Sequence, residues 1–160
     1  MMSDMLLPPG LILILIGLLL PLLKDTWRSL ALVVGPIVVL ATVWSLPDGN
    51  VVELSYLGYE LVLVRADELS RLFATVFSLM AAAGGLYAIS QSKTRELSAA
   101  FVYAGSAISV VFAGDLITVF IFWEIMAIAS TIVVWSGGAG AKAAGPVSYT
   151  HLTLPTIYSV

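Results

Sequence analysis

The 160 residues include no cysteine and a single histidine, His151. Without cysteine there is no disulfide framework, thiol nucleophile or iron–sulfur ligand, and the redox compartment is left open. Charge is scarce as well. Asp, Glu, Lys and Arg make up 11 % of the chain, where soluble domains carry about 25 %. In their place stand 60 % hydrophobic residues and a mean hydropathy of +1.05. Such a composition describes an integral membrane protein. The length leaves room for about five spans with short loops and none for a soluble catalytic domain. Any chemistry is therefore expected inside the bilayer or on a partner, with no cofactor and no nucleic acid bound by this chain. The net charge of −3 says less than how the charges are distributed.

The expected fold is all-α, with about five transmembrane helices and a short extramembrane β-hairpin between the second and third. Leu6 to Leu23 is an almost unbroken apolar run with Pro8, Pro9, Gly10 and Pro21 near its ends. Asp4 precedes it, no Lys or Arg does, and no small-residue cleavage site follows. It therefore reads as a retained span rather than a signal peptide. A polar loop, Lys24 to Arg28, leads to a second span from Leu30 to Leu46, with Trp27 and Trp44 near its ends as interfacial aromatics. Asp48-Gly49-Asn50 is a turn signal, and the β-formers and charges from Val51 to Val64 predict a hairpin turning near Leu57-Gly58; an irregular loop is the alternative. A third span, Leu69 to Ser90, follows Asp67, which is placed as its N-cap with Ser70 three positions on. Its small centre, Ala81 to Gly85, suits close helix packing. In the fourth span, Leu97 to Ala113, the residues Gly105, Ser109 and Ala113 repeat every four positions and predict another close contact. Gly114-Asp115 leaves so little chain that spans four and five must be antiparallel neighbours.

Lys24, Arg28, Lys93, Arg95 and Lys142 fall on one side of this arrangement, five of the seven basic residues. Arg65 and Arg71 fall on the other, among Asp48, Glu53, Glu60, Asp67, Glu68 and Asp115. The positive-inside rule makes the first side cytoplasmic and puts the N-terminus and hairpin outside, in a multi-pass protein of the cytoplasmic membrane.

The fifth span, Asp115 to Ser136, reads DLITVFIFWEIMAIASTIVVWS and carries one ionisable residue, Glu124, past its start. Nine residues beyond Asp115 is roughly 13 Å, close to the middle of a core about 30 Å thick. A charge there costs about 2.5 to 3.5 kcal/mol on insertion scales, so such a residue is a functional-site candidate. The alternative is a protonated Glu that only makes a packing contact between helices. Helical spacing puts Ile117, Phe120, Ile121, Ala127, Ile128 and Thr131 on its face. Ala127 and the Thr131 hydroxyl suit a helix contact or a narrow wet cavity, and Phe120 and Ile121 are expected to keep bulk water out. A carboxyl that takes up and releases a proton needs burial, which favours its neutral form, balanced by a cation, which favours its charged form. Apart from Arg71 at the very start of the third span, no Lys, Arg or His is expected within the spans, so that cation has to come from elsewhere. Asp115 has two readings, an interfacial helix cap or a group at the outer entrance of a proton path, and Asp67 has the same two.

The stretch Ala113 to Ala127, AGDLITVFIFWEIMA, closely resembles the fifth-span motif of the antiporter-like subunits shared by Mrp-type multisubunit cation/proton antiporters and respiratory complex I. Arg65 to Phe73, Leu86-Tyr87-Ala88 and Tyr103 to Ala107 resemble the same family, so the likeness covers about Gly58 to Trp135. AGDL, FWEIMA and the hairpin YLGYEL most resemble the D-type members of the Na⁺/H⁺ antiporter branch and their relatives. The resemblance implies that Glu124 belongs to a proton path and pairs with a lysine on a later helix; the residues themselves offer Thr131 and Asp115 as proton-path or packing support. It implies a hetero-oligomeric membrane complex that moves protons, in exchange for Na⁺ or another monovalent cation in the antiporter version. The alternatives are a proton-pumping membrane subunit of an NADH:quinone oxidoreductase, with redox cofactors on other subunits, and a structural membrane subunit with no transport role. Family members are much longer and carry further intramembrane lysines. Residues 1–145 are accordingly expected to be the N-terminal part of a polytopic domain, inactive alone.

Pro146 to Val160, PVSYTHLTLPTIYSV, has no helical period and is too short and polar to span. Val147 to Thr156 resembles the translation of a transposon-end adapter used in sequencing libraries, so residues 146–160 are expected to be a non-native tail. His151 then has no role; a short native tail would give it none either. Genomic DNA amplified across the codons around Gly145 should diverge from this tail. If it encodes Pro146 to Val160, the tail is genuine.

Overall fold

Proline has a fixed φ and no amide proton, which suits the first turn of a helix, and Pro8 and Pro9 stand where the first helix begins. In the computed structural model, which describes residues 7–56, 58–89 and 93–136, α1 runs Pro9–Leu19 and continues as a 3₁₀ turn, Leu20–Leu22, around Pro21. The piece Pro9–Leu22 is about 22 Å long, short of a hydrocarbon core of about 30 Å. The first expected span is thus a shorter helix, trimmed by prolines at both ends. The other four helices, α2 (Asp25–Ser45), α3 (Glu68–Ala88), α4 (Thr94–Phe112) and α5 (Leu116–Ser136), are long and apolar enough to cross a bilayer. α2 starts at Asp25 rather than Leu30, so most of the expected polar loop is its first turn. Arg28, Arg71 and Arg95 consequently lie inside helices, in the opening turns of α2, α3 and α4, while the middles hold no basic residue. The tail at 146–160 lies outside the described residues.

α4 is the centre of the bundle. α1, α3 and α5 all pack on it, and α2 joins through α1 and α3. The buried face of α1 is Gly10, Leu13, Ile14 and Gly17, at the three- and four-residue spacing that keeps side chains on one helix face. A Cβ on Gly10 would stand 2.1 Å from the Gly105 carbonyl oxygen, and one on Gly17 would stand 2.9 Å from the Ser98 carbonyl oxygen. The two backbones are in contact there. Gly105 and Ser109, the first two members of the small-residue face expected on α4, therefore meet α1. The small centre of α3 is split: Gly85 faces α2, with its Cβ position 2.7 Å from the Leu32 carbonyl oxygen, whereas Gly84 has no neighbour within 4 Å.

Between α2 and α3 the expected hairpin is present, β1 (Gly49–Tyr56) antiparallel to β2 (Tyr59–Ala66). Tyr56 pairs with Tyr59 across the turn, and Gly58 takes a φ of +83° that side chains resist. Val64 and Ala66 of β2 are buried and belong to the main core. Asp67 caps α3 with a reciprocal box: its carboxylate accepts the Ser70 amide at 2.7 Å, and the Asp67 amide donates to the Ser70 hydroxyl at 2.8 Å.

The two ends of the bundle differ in charge. At one end Arg28 donates to the Thr94 hydroxyl at 2.9 Å, which brings the starts of α2 and α4 together with Lys24, Lys93 and Arg95. At the other end Arg71 holds Asp48 and donates to the Leu46 carbonyl at 2.7 Å, beside the hairpin and its acids.

Replacing Gly105 by alanine should destabilise the protein by about 1–3 kcal/mol through overpacking of the α1–α4 seam. Gly84→Ala should be neutral or add about 0.5–1 kcal/mol from reduced chain entropy. Denaturation in mild detergent compares the two, and equal stability of both variants would disprove the seam.

Candidate functional site

Two carboxylates on the α5 segment sit in opposite circumstances. Asp115 precedes the helix and is fully engaged. One of its oxygens accepts the Thr118 amide at 2.8 Å. The other accepts the Thr118 hydroxyl at 2.6 Å and the Val62 amide from β2 at 2.7 Å. The neighbouring Gly114 amide donates to the Val62 carbonyl at 2.9 Å. A residue read as a cap or an entrance group is therefore the cap of α5, and it also pins the hairpin to the α4–α5 corner. Burial on its own would raise the Asp115 pKa. The hydroxyl and amide of Thr118, with the amides of Val62 and Ile117, outweigh this and hold it below the ordinary 3.8. Asp67 is lowered too, chiefly by the amide and hydroxyl of Ser70, against burial and with help from Arg65.

Glu124 sits in the middle of α5, half-buried. Among the described helices α5 packs mainly on α4, and its buried residues are Thr118, Phe122 and Ala129 on one arc and Ala127 and Thr131 on another. At 100° per residue Glu124 lies roughly 150° round the helix from Phe122 and Ala129, so it faces away from α4. Its helical neighbours Ile117, Phe120, Ile121 and Ile128 are 47–55 % exposed. Among the described residues no helix is packed over Phe120 and Ile121. Ala127 and Thr131 on the same face are buried. The Thr131 hydroxyl donates to the Ala127 carbonyl at 2.9 Å, the oxygen that also accepts from Ser130. Its proton is thus used within the helix, and two turns, about 10 Å of rise, separate it from Glu124.

The structure therefore does not bring Glu124, Thr131 and Asp115 together. Among the described residues no ion pair reaches Glu124, and the basic residues lie in the opening turns of helices, away from its depth. Among the described residues no group of three or more His, Cys, Asp or Glu is placed to hold a metal ion. Sequence reasoning missed the bond from Val62 to Asp115, which spans 53 positions and has no local pattern to announce it. No family model, curated protein or solved structure matches the chain.

Asp115→Ala should cost about 1–2 kcal/mol by removing the cap and should loosen the hairpin. With a folded pKa below 3.8, the Asp115 contribution is complete above that value and fades as pH falls through the folded value. Thermal unfolding between pH 6 and pH 3 should show an acid limb in the parent that is smaller in Asp115→Ala. An identical limb in both would remove Asp115 from this role.

Proposed function

We propose that the protein is a proton-translocating integral membrane subunit of a multisubunit monovalent cation/proton antiporter, with Glu124 as the group that takes up and releases the proton. The observation that carries this reading is the placement of Glu124: one ionisable side chain, half-buried in the middle of a 21-residue apolar helix, on the face turned away from α4. A carboxylate facing lipid would be costly. A partner helix with a polar or basic group lowers that cost and supplies the balance of burial and charge that proton exchange needs. The likeness of Ala113 to Ala127 to the antiporter-like subunits gives the same residue this role.

On this reading other membrane subunits, or further helices, cover the Glu124 face. The end with Lys24, Arg28, Lys93 and Arg95 lies in the cytoplasm and the hairpin lies outside. Na⁺ is the favoured exchanging cation. Asp115 holds the corner at the outer end of α5, and Thr131 supports packing below Glu124. The same motif belongs to the proton-pumping membrane subunits of NADH:quinone oxidoreductases. Flanking genes separate the two, because an antiporter operon carries small companion membrane subunits and a redox complex carries redox subunits.

In the product of the complete gene, Glu124→Gln and Glu124→Ala should abolish cation-coupled proton movement in membrane vesicles while the complex still assembles. Full activity in both variants would leave Glu124 a packing residue and sink the proposal.

A further inference from the structure

At the basic end of the bundle, a groove of about 450 Å³ opens between the end of α1, the start of α4 and the second half of α5. Leu18 and Pro21 form one wall, Ile128 and Ile132 the other, and Val102 lies between them. The charged residue in its lining is Arg95, in the first turn of α4. Ser98 also lines it, but its hydroxyl donates to the Gly17 carbonyl and is used in the α1–α4 seam. Arg95 takes part in neither of the two ion pairs found among the described residues.

The surroundings favour an anion. Lys24 and Lys93 stand immediately before α2 and α4, and Arg28 bridges the two helix starts. Asp25 and Glu96 are the acids nearby, and Asp25 is engaged by Arg28. Four basic residues thus face two acidic ones. An apolar trough ending in uncompensated positive charge has the polarity profile of a lipid with an anionic head, since the trough takes hydrocarbon and the end takes phosphate. Basic pockets between membrane helices recognise such headgroups in this way. A protein helix as occupant would leave Arg95 to be matched by a buried acid, and a zwitterionic lipid would leave the excess positive charge unmatched.

We propose that this groove holds an acyl chain of an anionic glycerophospholipid whose phosphate is bound by Arg95. Its wall residue Ile128 stands one turn from Glu124 on the same face, but the phosphate is held at Arg95 and the site does not depend on the chemistry of Glu124, so either can fail without the other. The lipid fills the crevice left because α1 is short and ends in a proline turn, and so joins α1 to α5.

The test is native mass spectrometry of the full chain released from detergent after addition of phosphatidylglycerol or phosphatidylcholine. One phosphatidylglycerol should be retained per chain, preferred over phosphatidylcholine by about fivefold or more, the scale of one basic residue acting on an anionic lipid. Arg95→Gln should bring the preference close to parity, and Arg95→Lys should keep most of it. Leu18→Trp, at an exposed edge of the groove, should release the lipid with Arg95 still present. Glycerol 3-phosphate should not compete, because it lacks the chain. Circular dichroism checks that each variant keeps its helices. Equal retention of the two lipids, an unchanged preference in Arg95→Gln, retention in Leu18→Trp, or displacement by glycerol 3-phosphate would each overturn the proposal.

Discussion

A Cβ on Gly10 would lie 2.1 Å from the Gly105 carbonyl oxygen, and one on Gly105 would lie 2.5 Å from that of Gly10. Two backbones that close leave no room for any side chain between them, and the rest of the bundle is arranged round this contact. Inside a bilayer, lipid tails are as apolar as leucine, so helices gain by packing and hydrogen bonding rather than by leaving water. Dispersion fades over a fraction of an ångström, so a glycine seam gives what longer side chains cannot. α1 is the shortest of the five helices, and this seam is its main contact. It touches α4 at Gly10 and again at Gly17, where the Ser98 hydroxyl adds a hydrogen bond to the Gly17 carbonyl. With α1 seated there, α3 and α5 take other sides of α4.

The next constraint is what happens at the helix ends, where amides of the first turn lack partners. At the hairpin end, α3 and α5 both begin with an aspartate that accepts them. Asp115 does more than cap, since with Gly114 it exchanges two hydrogen bonds with Val62 and so attaches the strand to the corner. Gly114 has to be glycine for this, its Cβ position being 2.5 Å from a Val62 methyl. The residues that begin the sequence motif, Ala113-Gly114-Asp115, thus have a structural account of their own, separate from any role in transport. At the other end α2 and α4 follow lysines whose side chains make no such cap. This contrast gives the bundle a polarity in its capping as well as its charge.

Features written in neighbouring residues were legible in the sequence. The bounds of α5, the Gly58 turn and the box between Asp67 and Ser70 depend on the apolar period, a positive φ and a three-residue spacing, all local. The small face on α4 was legible as a contact, but its partner was not. Nothing in Gly105 and Ser109 says whether α1 or α5 lies against them; that is settled by the matching glycines of α1, about 90 positions earlier. The short α1 was hidden for a different reason. Its apolar run is as long as a span, and hydropathy does not register that Pro9 and Pro21 trim the helix. The start of α2 was hidden because a run of charges reads as a loop, whereas Asp25 and Arg28 pair across one helical turn.

The acid in α5 was legible as unusual, and the structure alters what is unusual about it. A buried carboxylate serving only to pack helices would be expected towards α4, the one long helix that α5 lies against. That arc is filled by Thr118, Phe122 and Ala129, none of which is charged. Glu124 is turned the other way, among exposed Ile117, Phe120, Ile121 and Ile128. The arc of Thr118, Phe122 and Ala129 does not call for a carboxylate at 124, and the buried Ala127 and Thr131 beside Glu124 are small and uncharged. The local hydroxyls do not account for it either. Ser130 and Thr131 both turn back to the Ala127 carbonyl. In lipid a carboxylate at this position would cost about 2.5 to 3.5 kcal/mol, and on the proton-path proposal a polar or basic group meeting it from outside the described helices offsets that cost.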